Sequence, residues 1–229
     1  MTSICLIVQS VYDSDPRVRR KAEALVAAGY GVDVLALQGA RREARYTLNG
    51  VNVYTLALGR KRGSLFRYGF EYLVFFAWVL VRLPLMMRRR RYAIVDVNTL
   101  PDFLIFAAAM ARWMGAALML DMHEITPEFY MSKYGISERS AAVRLLKRLE
   151  RASCLFADHV ITINEPIRAL LEQRGLPPSK TTIVMNAAEE DRFAEEPKAP
   201  MVRRGQGNSG FIMLYHGTLT RTYGLDLAV

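Results

Sequence analysis

The chain has 229 residues, 52% of them hydrophobic, and a formal net charge of +9, which gives ample material for a core and excludes a disordered chain. Its two cysteines, Cys5 and Cys154, lie far apart inside apolar segments and it has three histidines, so neither a disulfide framework nor a metal cluster of recognisable spacing can be assembled, and a reducing compartment is expected. The charge is lopsided: residues 1–115 hold 17 Lys and Arg against 8 Asp and Glu, residues 116–229 hold 14 against 14, and basic clusters at 17–21, 41–45, 60–62 and 88–91 read equally as solvated surface or as a face for nucleic acid, anionic lipid or a phosphorylated substrate.

The opening "MTSICLIVQS" has no basic leader and an apolar core too short for a signal peptide, so the protein is expected in the cytosol. "ICLIV" reads as a strand, "QSVYDSDP" as a loop, the amphipathic run to Gly29 as a helix and "GVDVLAL" as a second strand, a βαβ opening. Asp15 ahead of Pro16 fits an N-cap, and Gly29 fits the C-terminal stop. "VNVYTLAL" follows a turn at Asn49-Gly50 as a third strand whose direction stays open. The apolar segment 65–87 is interrupted by Arg67, Glu71, Arg82 and Pro84, and its longest uncharged stretch, 72–81, falls short of the ~20 residues of a spanning helix. It reads as a core-packing helix, with a seat on the cytosolic face of a membrane as the alternative.

Then come "AIVDVN", a helix over 101–114, "AALMLDM", a helix over 138–156, "HVITIN", a helix over 166–174, and "TTIVMN". Alternating strands and helices predict an α/β fold with a Rossmann-like, doubly wound, mostly parallel sheet, whose ligands bind outside the carboxyl ends of the strands. Asn98, His123, Asn164, Glu165 and Asn186 fall at those ends, whereas His159 opens its strand and reads as structural. Residues 194–210, rich in Pro, Gly and charge, read as a linker. From 211 "FIMLYHGTL" reads as a new strand with its loop and "YGLDLAV" as the first turns of a helix.

No G-x-G-x-x-G or G-x-x-x-x-G-K-[ST] follows the first strand, which disfavours ordinary dinucleotide or P-loop binding there. Asp13-Ser14-Asp15 matches a D-x-D metal pattern, but a capping role for Asp15 explains it more economically. An imidazole at a strand end can donate or accept a hydrogen bond near physiological pH, so His123 is either a site residue or a satisfied core histidine. Glu124 and Glu128 are second candidates or helix caps. "HGTLTRTYG" lies between a strand and a helix, where free N–H groups and the helix dipole can stabilise a diphosphate.

Four segments, "DPRVRRKAEALVAAGYGVDVLAL", "DVNTLPDFLIFAAAMARWMGAALMLDMHEITPEFY", "ADHVITINEPIRALLEQRGLPPSKTTIVMNAAEEDRF" and "LYHGTLTRTYGLDLAV", resemble successive blocks of glycosyltransferase family 4. The resemblance implies the GT-B fold of two Rossmann-like domains, the first holding the acceptor and the second a nucleotide sugar, and transfer with retention of anomeric configuration and no metal or cofactor. It implies an active-site role for His123 beside the transferred sugar, with Glu124 next to it. Acceptor or cleft contacts are then expected from Asp13, Arg17, Asn98, Glu128, Asn164, Glu165 and Asn186, and donor diphosphate contacts from His216, Gly217, Thr218 and Arg221. Family members often supply an arginine just after the first glycine of that loop and a lysine just before the second; Thr218 and Tyr223 stand there, and Arg221 is the available substitute. The paired glutamates that bind the donor in the family would lie past Val229.

The expected organisation is an acceptor-side domain over 1–193, the linker over 194–210 and the start of a donor-side domain over 211–229, a fragment expected to be inactive alone. Its partners would be a nucleotide-sugar donor and a sugar or lipid-linked acceptor, with peripheral contact on the inner face of the membrane and no nucleic acid. A sugar-nucleotide epimerase of the same fold and a basic module for membranes or polysaccharide are the alternatives.

Overall fold

A computed structural model of the chain describes residues 1–58, 65–187, 214, 215 and 217, without the side chains of residues 65, 66 and 68. The expected linker, the strand from 211 apart from Leu214 and Tyr215, the diphosphate-loop residues His216, Thr218 and Arg221, and the basic residues 60–62 lie outside the described residues. The chain divides into two compact units, Met1–Asn186 and Ala187–Val229. The first carries all the regular structure described.

Its elements are β1 (Ser3–Val11), α1 (Pro16–Ala27), β2 (Gly31–Leu37), β3 (Arg45–Leu48), β4 (Val51–Leu56), α2 (Leu65–Met87), β5 (Ile94–Asn98), α3 (Ala109–Trp113), β6 (Ala117–Met122), α4 (Thr126–Tyr134), α5 (Ala141–Phe156), β7 (His159–Thr162), α6 (Glu165–Gln173) and β8 (Thr181–Ile183). The strands form one sheet in the order β3-β4-β2-β1-β5-β6-β7-β8, parallel at every pairing except the antiparallel β3–β4. The chain winds outward from β1 to β2 and β4, then crosses back through α2 to β5, so the order reverses between β1 and β5. In an open α/β sheet that reversal leaves a crevice at the carboxyl ends of the two strands.

Strand periodicity sorts the side chains into two layers. Ile4, Leu6, Val8, Val32, Val34 and Ala36 pack with Val18 and Ala22 of α1 on one face. Cys5, Ile7, Leu35, Val95, Val97, Leu118 and Leu120 pack on the other with Phe75, Val79, Leu83 and Met86 of α2. The paired register Val95 with Leu118, Asp96 with Met119 and Asn98 with Asp121 therefore puts Asp96, Asn98 and Asp121 on the α1 face.

Four local expectations change. Asn49 (φ 51°) and Gly50 (φ 80°) form the two-residue turn of a hairpin in which β3, a strand missed in the sequence, pairs antiparallel to β4. The helix expected over 101–114 is a 3-10 segment, Asp102–Ala108, followed by the short α3. Leu104 and Ala107, and Ile105 and Ala108, are all buried, and a three-residue turn aligns each i, i+3 pair toward the same layer. The helix expected from 138 begins at Ala141, where the Ser140 hydroxyl accepts from Val143 N–H at 3.2 Å, and α4 precedes it, ended by Gly135 in the left-handed region at φ 62°. Asp15 sits at the N-cap position of α1 without a capping bond; its carboxylate accepts instead from Ser10 Oγ at 2.8 Å and from Arg17 at 3.1 and 3.2 Å.

α2 has two apolar faces. One is buried against the sheet, and the other exposes Phe70, Leu73, Leu80, Val81 and Leu85, each at least 40% exposed. Gly69–Met87 is long and apolar enough to cross a membrane, with a mean hydropathy of 1.7 and 33% of it buried. Phe75, Val79 and Leu83 are fully buried in the core, so the other face of the helix forms a surface ridge on the folded domain.

Candidate functional site

The crevice between β1 and β5 holds a cavity of about 190 Å³, lined by Gln9 and Ser10 at the end of β1, Asp15 and Arg17 at the start of α1, Thr99 after β5 and Glu124 after β6. Tyr72 of α2 closes one side. Three strand ends and one helix start therefore converge on a small polar recess.

Directly beneath, on the α1 face, Lys21 reaches into the sheet. Its ammonium donates to Asp121 Oδ2 at 2.5 Å and Asn98 Oδ1 at 2.9 Å and lies 2.6 Å from Asp96 Oδ2. Both carboxylates are nearly inaccessible. Burial pushes the Lys21 amine down, but the charges of Asp96 and Asp121 outweigh it and hold the amine above its usual range. Burial also pushes the Asp121 carboxyl up, yet the hydrogen bond from His123 and the charge of Lys21 bring it down to about 2. Asp96 is raised, because its burial and the neighbouring charge of Asp121 outweigh Lys21 and the weaker influence of His123. The asymmetry follows from the second partner that Asp121 has.

That partner is His123. Its Nε2 lies 3.3 Å from Asp121 Oδ2, Nδ1 is buried with no hydrogen-bond partner among the described residues, and the backbone N–H donates to Thr99 Oγ1 at 3.4 Å. The imidazole is turned down onto the carboxylates, and Glu124 rather than His123 lines the cavity. Asp121 thus supplies a charged partner for the imidazole inside the fold.

The other sequence candidates separate. Arg17 lines the cavity and is held by Asp15. Asp13 accepts from Arg41 at 3.1 Å and from Tyr46 Oη at 3.2 Å, fastening the loop after β1 to the β3 edge. Asn98 is 1% exposed; its side chain accepts from Lys21 and donates to the Ile7 carbonyl. Asn164 caps α6, accepting from Ile167 N–H at 2.9 Å, and exposed Glu165 is 3.7 Å from Arg168. Glu128 binds Arg174, which also donates to the fully buried Glu150 at 2.5 Å; this ties α4, α5 and α6 together and takes Glu128 away from the recess. Asn186 is exposed beyond β8, and of the four diphosphate-loop candidates only Gly217 is among the described residues.

Lys21, Asp96, Asp121 and Thr99 were missed by sequence reasoning. A usable signal existed: an aspartate inside "IVDVN" and another inside "LMLDM" are charges in buried strands, which must be paired.

An open, mostly parallel α/β sheet with a polar recess at its reversal point defines a Rossmann-like domain. Residues 14–187 match the glycosyl transferase 4-like domain, and the chain belongs to that family. Among curated proteins it is 25% identical over 150 residues to "Probable glycosyltransferase WbjE" of Pseudomonas aeruginosa, covering 64% of this chain and 38% of that one. Among solved structures its fold is similar to sucrose-phosphate synthase of Thermosynechococcus elongatus, with a TM-score of 0.58 at 17% identity over 83% of this chain and 49% of that one. It is likewise similar to Anabaena HepE in complex with UDP-glucose, with a TM-score of 0.52 at 16% identity over 86% of this chain and 47% of that one. The chain thus spans less than half the length of each of these relatives.

Proposed function

We propose that this chain is the acceptor-side half of a glycosyltransferase that moves a sugar from a nucleotide-sugar donor to a sugar or lipid-linked acceptor, with retention of configuration and without a metal, at the inner face of a membrane. The observation that carries the reading is the recess between β1 and β5, lined by Arg17, Thr99 and Glu124, inside the stretch that matches the family. The UDP-glucose bound to HepE supports a nucleotide sugar as donor. Metal independence is supported by Lys21, whose ammonium already occupies the space between Asp96 and Asp121. Donor contacts are assigned to His216, Gly217, Thr218 and Arg221.

In the acting enzyme His123 rotates from Asp121 to the sugar, or holds the strand end from below; Glu124 and Arg17 contact the acceptor in either case. Incubating the enzyme that contains this chain with an isotope-labelled nucleotide sugar and membrane lipid tests the reading. Label should pass to the acceptor in the donor's anomeric configuration, equally with and without EDTA; an inverted anomer or transfer abolished by EDTA would overturn those parts separately. His123→Ala should lower kcat at least tenfold and leave nucleotide affinity within about twofold, the signature of a contact made in the transition state. A kcat near wild type would leave the histidine purely structural.

A further inference from the structure

At the opposite edge of the sheet, under the amino ends of β2, β4 and β5, lies a larger cavity of about 540 Å³ that the proposed reaction does not use. Its walls carry Arg45, Arg82, Arg88, Arg89 and Arg90 and a single carboxylate, Asp33. Asp33 is fully engaged: it accepts from Arg90 Nη1 at 2.8 Å, Tyr92 Oη at 2.5 Å and Asn52 Nδ2 at 2.9 Å. Arg90 is further fixed by Ser3 Oγ at 2.8 Å, and it lies so close to β2 that a Cβ on Gly31 would fall 1.7 Å from its Nη2. Arg90 and Asp33 therefore form a neutral floor.

The remaining four arginines are the charge of the pocket, and none forms a salt bridge among the described residues. Two of them, Arg45 and Arg82, lie over the ring of Tyr54 at 5.1 and 5.3 Å, an arrangement that holds two like charges near one another at a fixed place. Four guanidinium groups around a recess of this size suit a phosphate, which accepts bidentate bonds from arginine.

The exposed ridge of α2 runs into this pocket: Leu80, Val81 and Leu85 are exposed, and Leu85 also lines the cavity. An apolar helix face that ends in a cluster of arginines has the composition of an element that lies in the interface of an anionic bilayer, its apolar side sunk ~5–10 Å. We infer that this pocket binds the phosphate of an anionic phospholipid while the α2 ridge rests among the acyl chains, so that the domain docks by the basic edge of its sheet. This deepens the proposal of a membrane seat and is independent of whether the chain serves sugar transfer. Tyr72 lies at the recess and Met86 at the pocket, 14 residues or ~21 Å apart along α2, so docking would leave the recess open to a membrane-borne acceptor.

Sedimentation of the full chain with phosphatidylcholine vesicles, with and without phosphatidylglycerol, tests this in the absence of any sugar substrate, so its failure is distinct from a failure of the enzymatic reading. Partition should require phosphatidylglycerol. The Arg82→Gln/Arg88→Gln/Arg89→Gln variant should lose it on the order of a hundredfold, given the contribution of each basic residue near such a surface, and Leu80→Ser/Val81→Ser should weaken it as well. Arg139→Gln/Arg144→Gln/Arg148→Gln removes the same charge from exposed positions around α5 and should change partition no more than about threefold. Because Arg82 supports Tyr54, the Arg88→Gln/Arg89→Gln pair serves as the second variant, with the thermal midpoint as a control for folding. Equal losses in the two triple variants, undiminished binding by the pair, or calorimetric binding of glycerol 1-phosphate by a chain that does not sediment with phosphatidylglycerol vesicles would each overturn the inference, the last by making the occupant a soluble phosphate.

Discussion

Lys21 shows how one side chain holds a strand end in place. Two carboxylates buried side by side repel, and removing their shared cation strands the charge at a cost of about 3–5 kcal/mol. Lys21→Met should therefore lose stability of that order at pH 7 in urea denaturation. The loss should shrink near pH 4, where one of Asp96 and Asp121 can take up a proton; a loss that does not vary with pH would rule out repulsion as its cause. In the wild type the Asp121 contribution has the ordinary carboxylate sign: its folded value of about 2 lies below the unfolded one, so the stability it gives is complete above that unfolded value and disappears as pH falls through 2. Asp102 has the opposite sign. Burial raises it to about 6, and Oδ1 has no hydrogen-bond partner among the described residues, so the domain loses stability as pH rises from about 4 to 6. Asp102→Asn should be stabilising by up to about 3 kcal/mol at pH 8 and close to neutral at pH 4; chemical denaturation at the two values decides it. His123 was legible as a strand-end residue because an abrupt polar residue after an apolar run marks the end of a buried strand. Its downward turn was not, because it depends on Asp121 and Lys21, two and 102 positions away.

Elements were legible where a local signal sets them. The caps were less so, with Asn164 readable as either a cap or a cleft residue and Ser140 not read as a cap: the two each satisfy a first-turn N–H through the side chain, and Ser140→Ala or Asn164→Ala should each cost about 1 kcal/mol. Because the two sites begin different helices, the double variant should lose the sum, measured as a shift in the urea midpoint. If Asn164→Ala instead left stability untouched and raised KM for an acceptor, the cleft role would return. Where packing decides, the sequence was silent. The segment 102–108 has the composition of an α-helix, yet it tightens into a 3-10 turn to bury Leu104, Ile105, Ala107 and Ala108 together. β3 is short and polar at alternate positions, and it becomes a strand only through its hairpin with β4. The α2 helix was read with its correct bounds, but its apolar residues cover more than one face, and no periodicity tells which face the sheet will take.

At the scale of the whole molecule, both buried clusters found among the described residues lie in the first unit, from Ile4 to Leu176. A core that is complete within one unit defines an independently folding domain. Residues 1–187 alone should thus unfold in a single cooperative transition, with a thermal midpoint within a few degrees of the full chain; loss of cooperativity would mean that residues 188–229 complete the core. The alternation of strands and helices was enough to foresee the doubly wound sheet, since each amphipathic segment has only one way to cover a parallel strand. The order of the strands also decides how the sheet ends. Its outermost strands are β3, with four residues, and β8, with three, and β3 turns Arg45 and Thr47 outward. A strand margin is a template on which a second chain can add, and its strength grows with length and apolar character. Margins this short, one of them charged, offer little to copy, so the sheet formed by the described residues resists ordered β-aggregation when concentrated.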